Sequence, residues 1–205
     1  MSPTKQQLNS LLELYQTGRY DIAEKLALSL SEKFPNHPFA WKVLGVVLIQ
    51  TGKIDKALAD MQKSLELTPQ DFECCNNIGI TLKQLGRYNE SEQNLRQAIK
   101  LKPDYAEAYN NLGATLKELS RFEEAEESLR KAIKLKPDYI EAYNNLSTTL
   151  QELGKLDDAE ENLRQAIKLK PDFAEAYNNL GATLKELGRF EEAEESLRKA
   201  IKLKP

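Results

Sequence analysis

The sequence is poor in the residues that usually carry chemistry. Its 205 residues include one histidine, two cysteines, one tryptophan and two methionines. The histidine, His37, lies between Asn36 and Pro38 and reads as a surface loop residue, with no second imidazole to form a proton relay or a metal pair. The cysteines, Cys74 and Cys75, are neighbours. Adjacent helical side chains diverge, so they form no disulfide with each other; two ligands without partners make no zinc site. They read as small buried residues. No apolar run approaches the roughly 20 residues of a membrane span, and the opening Met-Ser-Pro-Thr-Lys-Gln-Gln has no apolar signal region. No membrane partner is expected, and a reducing cytoplasm is the expected location. A dominant charge is missing too. With 29 Lys and Arg against 32 Asp and Glu, the formal net charge is only -3, which steers the chain toward neither nucleic acid nor an anionic membrane. Paired acids such as Glu126 and Glu127 sit among bases on a solvated helix face rather than as a desolvated acid–base pair. No glycine-rich phosphate loop is present. Nothing here predicts an enzyme, a cofactor or a bound metal.

What the sequence has instead is a period. Pro35, Pro69, Pro103, Pro137, Pro171 and Pro205 follow one another at intervals of 34 residues. A strict period of that size marks stacked copies of one supersecondary unit, each touching only its neighbours. Aligning the prolines gives units 4–37, 38–71, 72–105, 106–139, 140–173 and 174–205 in a single array over residues 1–205. Each unit opens with apolar residues at helical spacing, as in Tyr109, Leu112, Gly113 and Leu116. Gly18, Gly52, Gly86, Gly154 and Gly188 then fall where a helix ends in a left-handed residue; Ser120 takes that place in unit 106–139.

A second helix follows, for example from Phe122 to Leu135. Its acids come first and its bases last, which suits the helix dipole, and Glu126–Arg130 and Glu127–Lys131 are spaced as i,i+4 ion pairs. The ladder proline stops this helix. Asp104, Asp138 and Asp172 come next, each three residues before a glutamate, and are expected to cap the following helix. Units 106–139 and 174–205 differ only at Ser120 against Gly188 over their shared length, the mark of a duplication.

The run Trp41-x-x-Leu44-Gly45-x-x-Leu48, Ala57-x-x-x-Met61, Pro69 resembles the tetratricopeptide repeat (TPR). So does Tyr109-x-x-Leu112-Gly113-x-x-Leu116, Ala125-x-x-x-Leu129, Pro137. The resemblance covers essentially the whole chain. Unit 4–37 departs from it with Leu11 in place of the small residue and looks like a divergent cap; unit 140–173 has Ser147 there. The resemblance implies an all-α fold, a right-handed α-solenoid superhelix of stacked helix-turn-helix units, whose first helices line a concave surface that binds a peptide or a partner protein. The run Asn-Asn-Leu-Gly-x-Thr-Leu-Lys-Glu-Leu-Gly further resembles repeats that precede the catalytic domain of O-linked N-acetylglucosamine transferases. Similar repeats precede bacterial sulfotransferase and glycosyltransferase domains.

Helical angle locates the groove residues. With Tyr109 at zero and about 100° per residue, Leu112, Gly113 and Leu116 share the core side. Glu107, Asn111, Ala114 and Glu118 lie opposite, with Asn110 and Lys117 on the flank. The stripe repeats as Glu141, Asn145, Thr148, Glu152 and as Glu175, Asn179, Ala182, Glu186. Asn9 and Asn77 occupy the asparagine register in earlier units. An amide both donates and accepts, so a row of Asn9, Asn77, Asn111, Asn145 and Asn179 suits an extended backbone. The alternative is that duplication copied amides which only cap neighbouring backbone or face water. Unit 38–71 interrupts the stripe with Phe39, Val43 and Val46, next to Leu12 of the preceding unit. This apolar patch is either a contact surface or is covered by curvature or by the N-terminal tail. Glutamates on the groove face argue against a basic clamp for a carboxylate tail.

Leu197 and Ile201 fall near an uncovered end, and the sequence stops at Pro205 on a completed unit. Terminal repeats normally carry a polar outer face. Two readings follow: an interaction module at the N-terminal side of a larger protein, or a scaffold that associates head to tail through its ends.

Overall fold

The ladder prolines take the second position of β-turns rather than simply ending helices. In the computed structural model, which describes residues 2–204, Tyr139 N–H donates to Lys136 O at 3.1 Å and Phe173 N–H to Lys170 O at 3.1 Å, across Pro137 and Pro171. A turn with proline at its second position needs no φ adjustment, because the ring already holds the angle. The last rung, Pro205, lies outside the described residues. This geometry corrects the capping expectation for Asp104, Asp138 and Asp172. They occupy the third position of the turn, and the residues that enter the helices are Tyr105, Tyr139 and Phe173, none with a side-chain cap. Side-chain caps do occur on two first helices. Asp71 accepts from Cys74 N–H, and Thr4 forms a full capping box with Gln7. Lysines from the same turns cover the entering rings: Lys136 Nζ stands 4.7 Å from the Tyr139 centroid.

The described residues form twelve α-helices and no strand. Contacts gather them into two compact units. Residues 1–103 hold α1 (Lys5–Gln16), α2 (Tyr20–Lys33), α3 (Pro38–Gln50), α4 (Ile54–Leu67), α5 (Phe72–Gln84) and α6 (Tyr88–Leu101). Residues 104–205 hold α7 (Ala106–Glu118), α8 (Phe122–Leu135), α9 (Ile140–Glu152), α10 (Leu156–Leu169), α11 (Ala174–Glu186) and α12 (Phe190–Leu203). Within each unit an odd-numbered helix pairs with the even one after it. The next odd helix then packs on both, as α9 does on α7 and α8. The architecture is all-α, built of stacked helix-turn-helix repeats.

The first helix of each pair ends in a left-handed residue. Gly18, Gly52, Gly86, Gly154 and Gly188 have φ between 69° and 76°, and Ser120 has φ 57°. The following N–H reaches five residues back, as from Arg121 to Leu116 O at 3.0 Å, the 6→1 bond of a Schellman end. Ser120 is thus a side chain in a region that disfavours one. Ser120→Gly is expected to stabilise the protein by about 1 kcal/mol, read as a higher urea midpoint at unchanged slope. An unchanged or lower midpoint would contradict it.

The two helices of a pair approach through a small residue. A Cβ placed on Gly113 would stand 2.5 Å from Leu129 Cγ and 3.1 Å from Ala125 O. Gly79 faces Leu95 and Gly45 faces Met61 in the same way. The first pair, α1–α2, solves the same contact with the sizes exchanged. Leu11 replaces the glycine and Ala27 replaces the large residue, and both are fully buried in one core. Ser147, at the glycine register of α9, is buried with its hydroxyl donating to Asn144 O at 2.7 Å.

The second helices carry the expected acids in their first turns and bases in their last. Of the two ion pairs expected on α8, Glu126–Arg130 forms at 2.9 Å, while no Glu127–Lys131 pair is present. On α4, Asp60 sits where the sister helices carry Asn94, Ser128, Asn162 and Ser196. Burial lifts its carboxyl to about 6, against the lowering effect of Lys56. A carboxyl raised on folding contributes most below its unfolded value near 3.8, and that contribution is lost as pH rises through about 6. Asp60→Asn is therefore expected to stabilise the chain at pH 7 and to give no advantage below pH about 4, read by thermal unfolding across that range. An equal effect at both pH values would contradict the assignment.

Candidate functional site

Composition left the cysteines and the histidine as the only isolated reactive groups, and packing accounts for both kinds. Cys74 and Cys75 are buried free thiols. Cys74 Sγ donates to Met61 O, and burial, reinforced by Asp71, pushes its thiol up to about 12. Such a thiol is a poor nucleophile at neutral pH. His37 is not the free surface residue expected: it is half-buried at the start of α3, and its Nδ1 has no hydrogen-bond partner. Among the described residues no cluster of three His, Cys, Asp or Glu side chains could hold a metal ion, and no helix is long and apolar enough to cross a membrane.

In residues 1–103, Asn9 on α1 is exposed and Asn77 on α5 is half-buried. Of the two readings left open for the apolar patch, the structure favours a covered one. Val43 is buried in the core, Phe39 packs against that core, Val46 is half-buried, and only Leu12 is exposed. The reason is the position of α3, which contacts α1, α2, α4 and α5 and spends its apolar side chains on several of them. From α3, Lys42 Nζ reaches the start of α5 and binds Asp71, which caps that helix, at 2.9 Å and Glu73 at 2.7 Å.

In residues 104–205 the asparagines have a task the spacing did not reveal. Asn145 Nδ2 donates to Asn110 Oδ1 at 2.9 Å, and Asn179 Nδ2 donates to Asn144 Oδ1 at 2.9 Å. Each groove-register amide is tied to the flanking asparagine of the repeat before it. Asn144 Nδ2 in turn donates to Glu175 Oε1 at 2.9 Å. Asn111 also has a partner. Asn145 and Asn179 therefore do not stand as open donors; they stitch first helix to first helix. Neighbouring links do the same. Lys117 Nζ donates to Thr148 Oγ1 at 3.1 Å, and Gln151 Nε2 to Thr183 Oγ1 at 2.6 Å. The signal for this was present in the period: residues 35 apart, one repeat plus one position, face each other between first helices.

The glutamates divide into two groups. Glu107 pairs with Lys136 at 3.3 Å and Glu175 accepts from Asn144. Tyr139 lies beside Glu107 and Glu141; burial, then these carboxylates, push its phenol up to about 12. The second group is open. Glu118, Glu152 and Glu186, at the ends of α7, α9 and α11, are exposed with no ion pair among the described residues, and Glu141 is exposed as well. These three stand one repeat apart. At the same register residues 1–103 carry Gln16, Gln50 and Gln84, so the acidic row belongs to residues 104–205 alone. On this face Asn145 and Asn179 are engaged by stacking, while Glu118, Glu152 and Glu186 stand exposed without ion partners among the described residues.

Models of the tetratricopeptide repeat match residues 9–72, 106–139, 128–161 and 174–205, and a model described as a TPR repeat matches 81–120 and 148–188. No curated protein sequence matches the chain. Among solved structures the chain is similar to MamA, at 28% identity, with 78% of this chain and 94% of that one covered and a TM-score of 0.69. It is similar to YrrB, described as a TPR protein with an unusual peptide-binding site, at 23% identity over 87% of this chain and 92% of that one, TM-score 0.67. PilF of Pseudomonas aeruginosa is similar at 19% identity over 97% and 90% of the two chains, TM-score 0.83. The last two likenesses speak to the fold.

Proposed function

Because the chain belongs to the tetratricopeptide-repeat family, we propose that it is a protein-interaction module whose first-helix face in residues 104–205 takes an extended, basic peptide. One observation carries the reading. Glu118, Glu152 and Glu186 recur once per repeat, exposed and without ion partners among the described residues, on a face where Asn145 and Asn179 are already engaged. Carboxylates so placed meet lysine or arginine side chains with charge-assisted hydrogen bonds, and their regular spacing suits a ligand that runs across the repeats. The peptide-binding site ascribed to YrrB is consistent with such a use of the fold. Asn9 and Asn77 and the half-buried Phe39 and Val46 are less suited to lead recognition, because their unit lacks the acidic row.

The test is fluorescence anisotropy with a labelled lysine- and arginine-rich peptide. The triple variant Glu118→Gln, Glu152→Gln, Glu186→Gln is expected to bind about tenfold more weakly, and the wild-type affinity to fall as salt rises. Equal affinity of the two proteins, or no binding of the peptide by either, would overturn the reading.

A further inference from the structure

The chain uses one ion pair repeatedly to join successive helix pairs. Glu126 Oε2 meets Lys155 Nζ at 2.7 Å, and Glu160 Oε2 meets Arg189 Nη1 at 2.7 Å. In residues 1–103, Glu24 Oε1 meets Lys53 Nζ at 2.6 Å. In every case the acid lies on a second helix and the base lies 29 residues later, just before the next second helix. Three residues hold these registers without the matching partner; one is Arg87, whose acid register is taken by Leu58 and which pairs with Glu90 of its own repeat instead. Glu194 on α12 has the acid position, and Arg19 before α2 has the base position. Glu194 pairs only with Arg198 of its own helix, and its side chain is 65% exposed against 14% for Glu126 and 13% for Glu160. Arg19 is exposed and has no ion pair among the described residues.

Apolar residues repeat the pattern. Leu129 and Leu163 are fully buried, whereas Leu197 at the same register is exposed, together with Phe190 and Ile201. These three and Ala193 line a depression of about 350 Å³ rimmed by Lys185, Glu194 and Arg198. On α2, Ile22 is exposed at the register of Asp158 and Glu192. Those two acids are each approached at 3.5 Å by an arginine of the preceding repeat, Arg130 and Arg164, so Ile22 lies on the side where a preceding repeat sits. Leu14, half-buried beside its own core, matches Leu150, which packs in one cluster with Leu129.

We propose that the α11–α12 face docks the α1–α2 pair of a second copy of this chain, in the register used between its own repeats, with Arg19 of the second copy on Glu194. The contact is heterologous, pairing two different faces, so each joint leaves one α1–α2 face and one α11–α12 face to extend the assembly beyond a twofold dimer. Ser10 stands where Leu146 inserts at an internal boundary, so the joint is weaker than an internal one and assembly depends on concentration.

Sedimentation velocity on the 205-residue chain tests this by charge exchange. The wild type is expected to grow in mean mass from micromolar to millimolar concentration. Glu194→Arg alone and Arg19→Glu alone set like charges against each other and are expected to stay monomeric, with unchanged helical circular dichroism. An equal mixture of the two variants restores opposite charges at every joint and is expected to assemble again. A wild type that stays monomeric throughout overturns the proposal. So does assembly that Arg19→Glu leaves intact, the signature of two α11–α12 faces meeting each other, or a mixture that fails to recover.

Discussion

Replacing Gly113 with leucine is expected to destabilise residues 104–205 by about 3 kcal/mol, and adding Leu129→Ala to the same chain is expected to recover most of that loss. The first change drives a side chain into a contact where even a Cβ would stand 2.5 Å from Leu129 Cγ. The backbone oxygen of Ala125, 3.1 Å from that Cβ, cannot move aside as a flexible side-chain tip can. Leu129→Ala alone empties a fully buried site and is expected to cost about 3 kcal/mol as well. The two together recreate the Leu11 and Ala27 arrangement that the α1–α2 pair already buries. A double-mutant cycle in urea gives the result: a coupling of several kcal/mol is expected, whereas losses that simply add would contradict the size exchange.

Asn144→Asp is expected to cost about 3 kcal/mol at pH 7. Asn144 is 4% exposed and gives one hydrogen bond to Glu175 while accepting one from Asn179. An aspartate keeps the acceptor but loses the donor, and sets a second carboxylate against Glu175 in a buried position. Burial and that neighbour both raise the carboxyl above its unfolded value. The cost therefore grows as pH rises through the raised value and shrinks toward acid, where the proton restores a donor. Asn144→Ala loses both bonds without adding a charge, so it is expected to cost about 2 kcal/mol with little pH dependence of its own. Thermal unfolding from pH 4 to pH 8 separates the two variants. Parallel curves would show that Asn144 does not serve as the donor that stitches α9 to α11.

The period was the legible part of this protein. Six prolines and six helix-ending residues are read directly from sequence because each answers to a local rule: a fixed φ for proline, a left-handed φ for glycine. Ser120 was legible as an exception for the same reason, and its φ of 57° shows that the fold imposes the conformation regardless of the residue. The helix starts were misread by one position. A proline–aspartate pair fits both a cap and the middle of a turn, and only the bond closing across Lys136 and Tyr139 distinguishes them. The face was the least legible part. Helical angle set Asn145 and Asn179 opposite the core, but angle on one helix says nothing about the helix beside it. The i to i+35 contact that consumes their amides is a property of stacking. Val43 was misplaced likewise, because α3 has neighbours on more than one side. Glu118, Glu152 and Glu186 were placed with the asparagines on the same face, yet sequence alone could not tell that they would stay free while the amides were taken.

The most direct test of the account is an amide chemical-shift map of the labelled chain titrated with the lysine- and arginine-rich peptide. The largest shifts are expected on α7, α9 and α11 around Glu118, Glu152 and Glu186, and they are expected to vanish in the triple glutamine variant. Shifts confined to the second helices α8, α10 and α12, or shifts that persist unchanged in that variant, would contradict it.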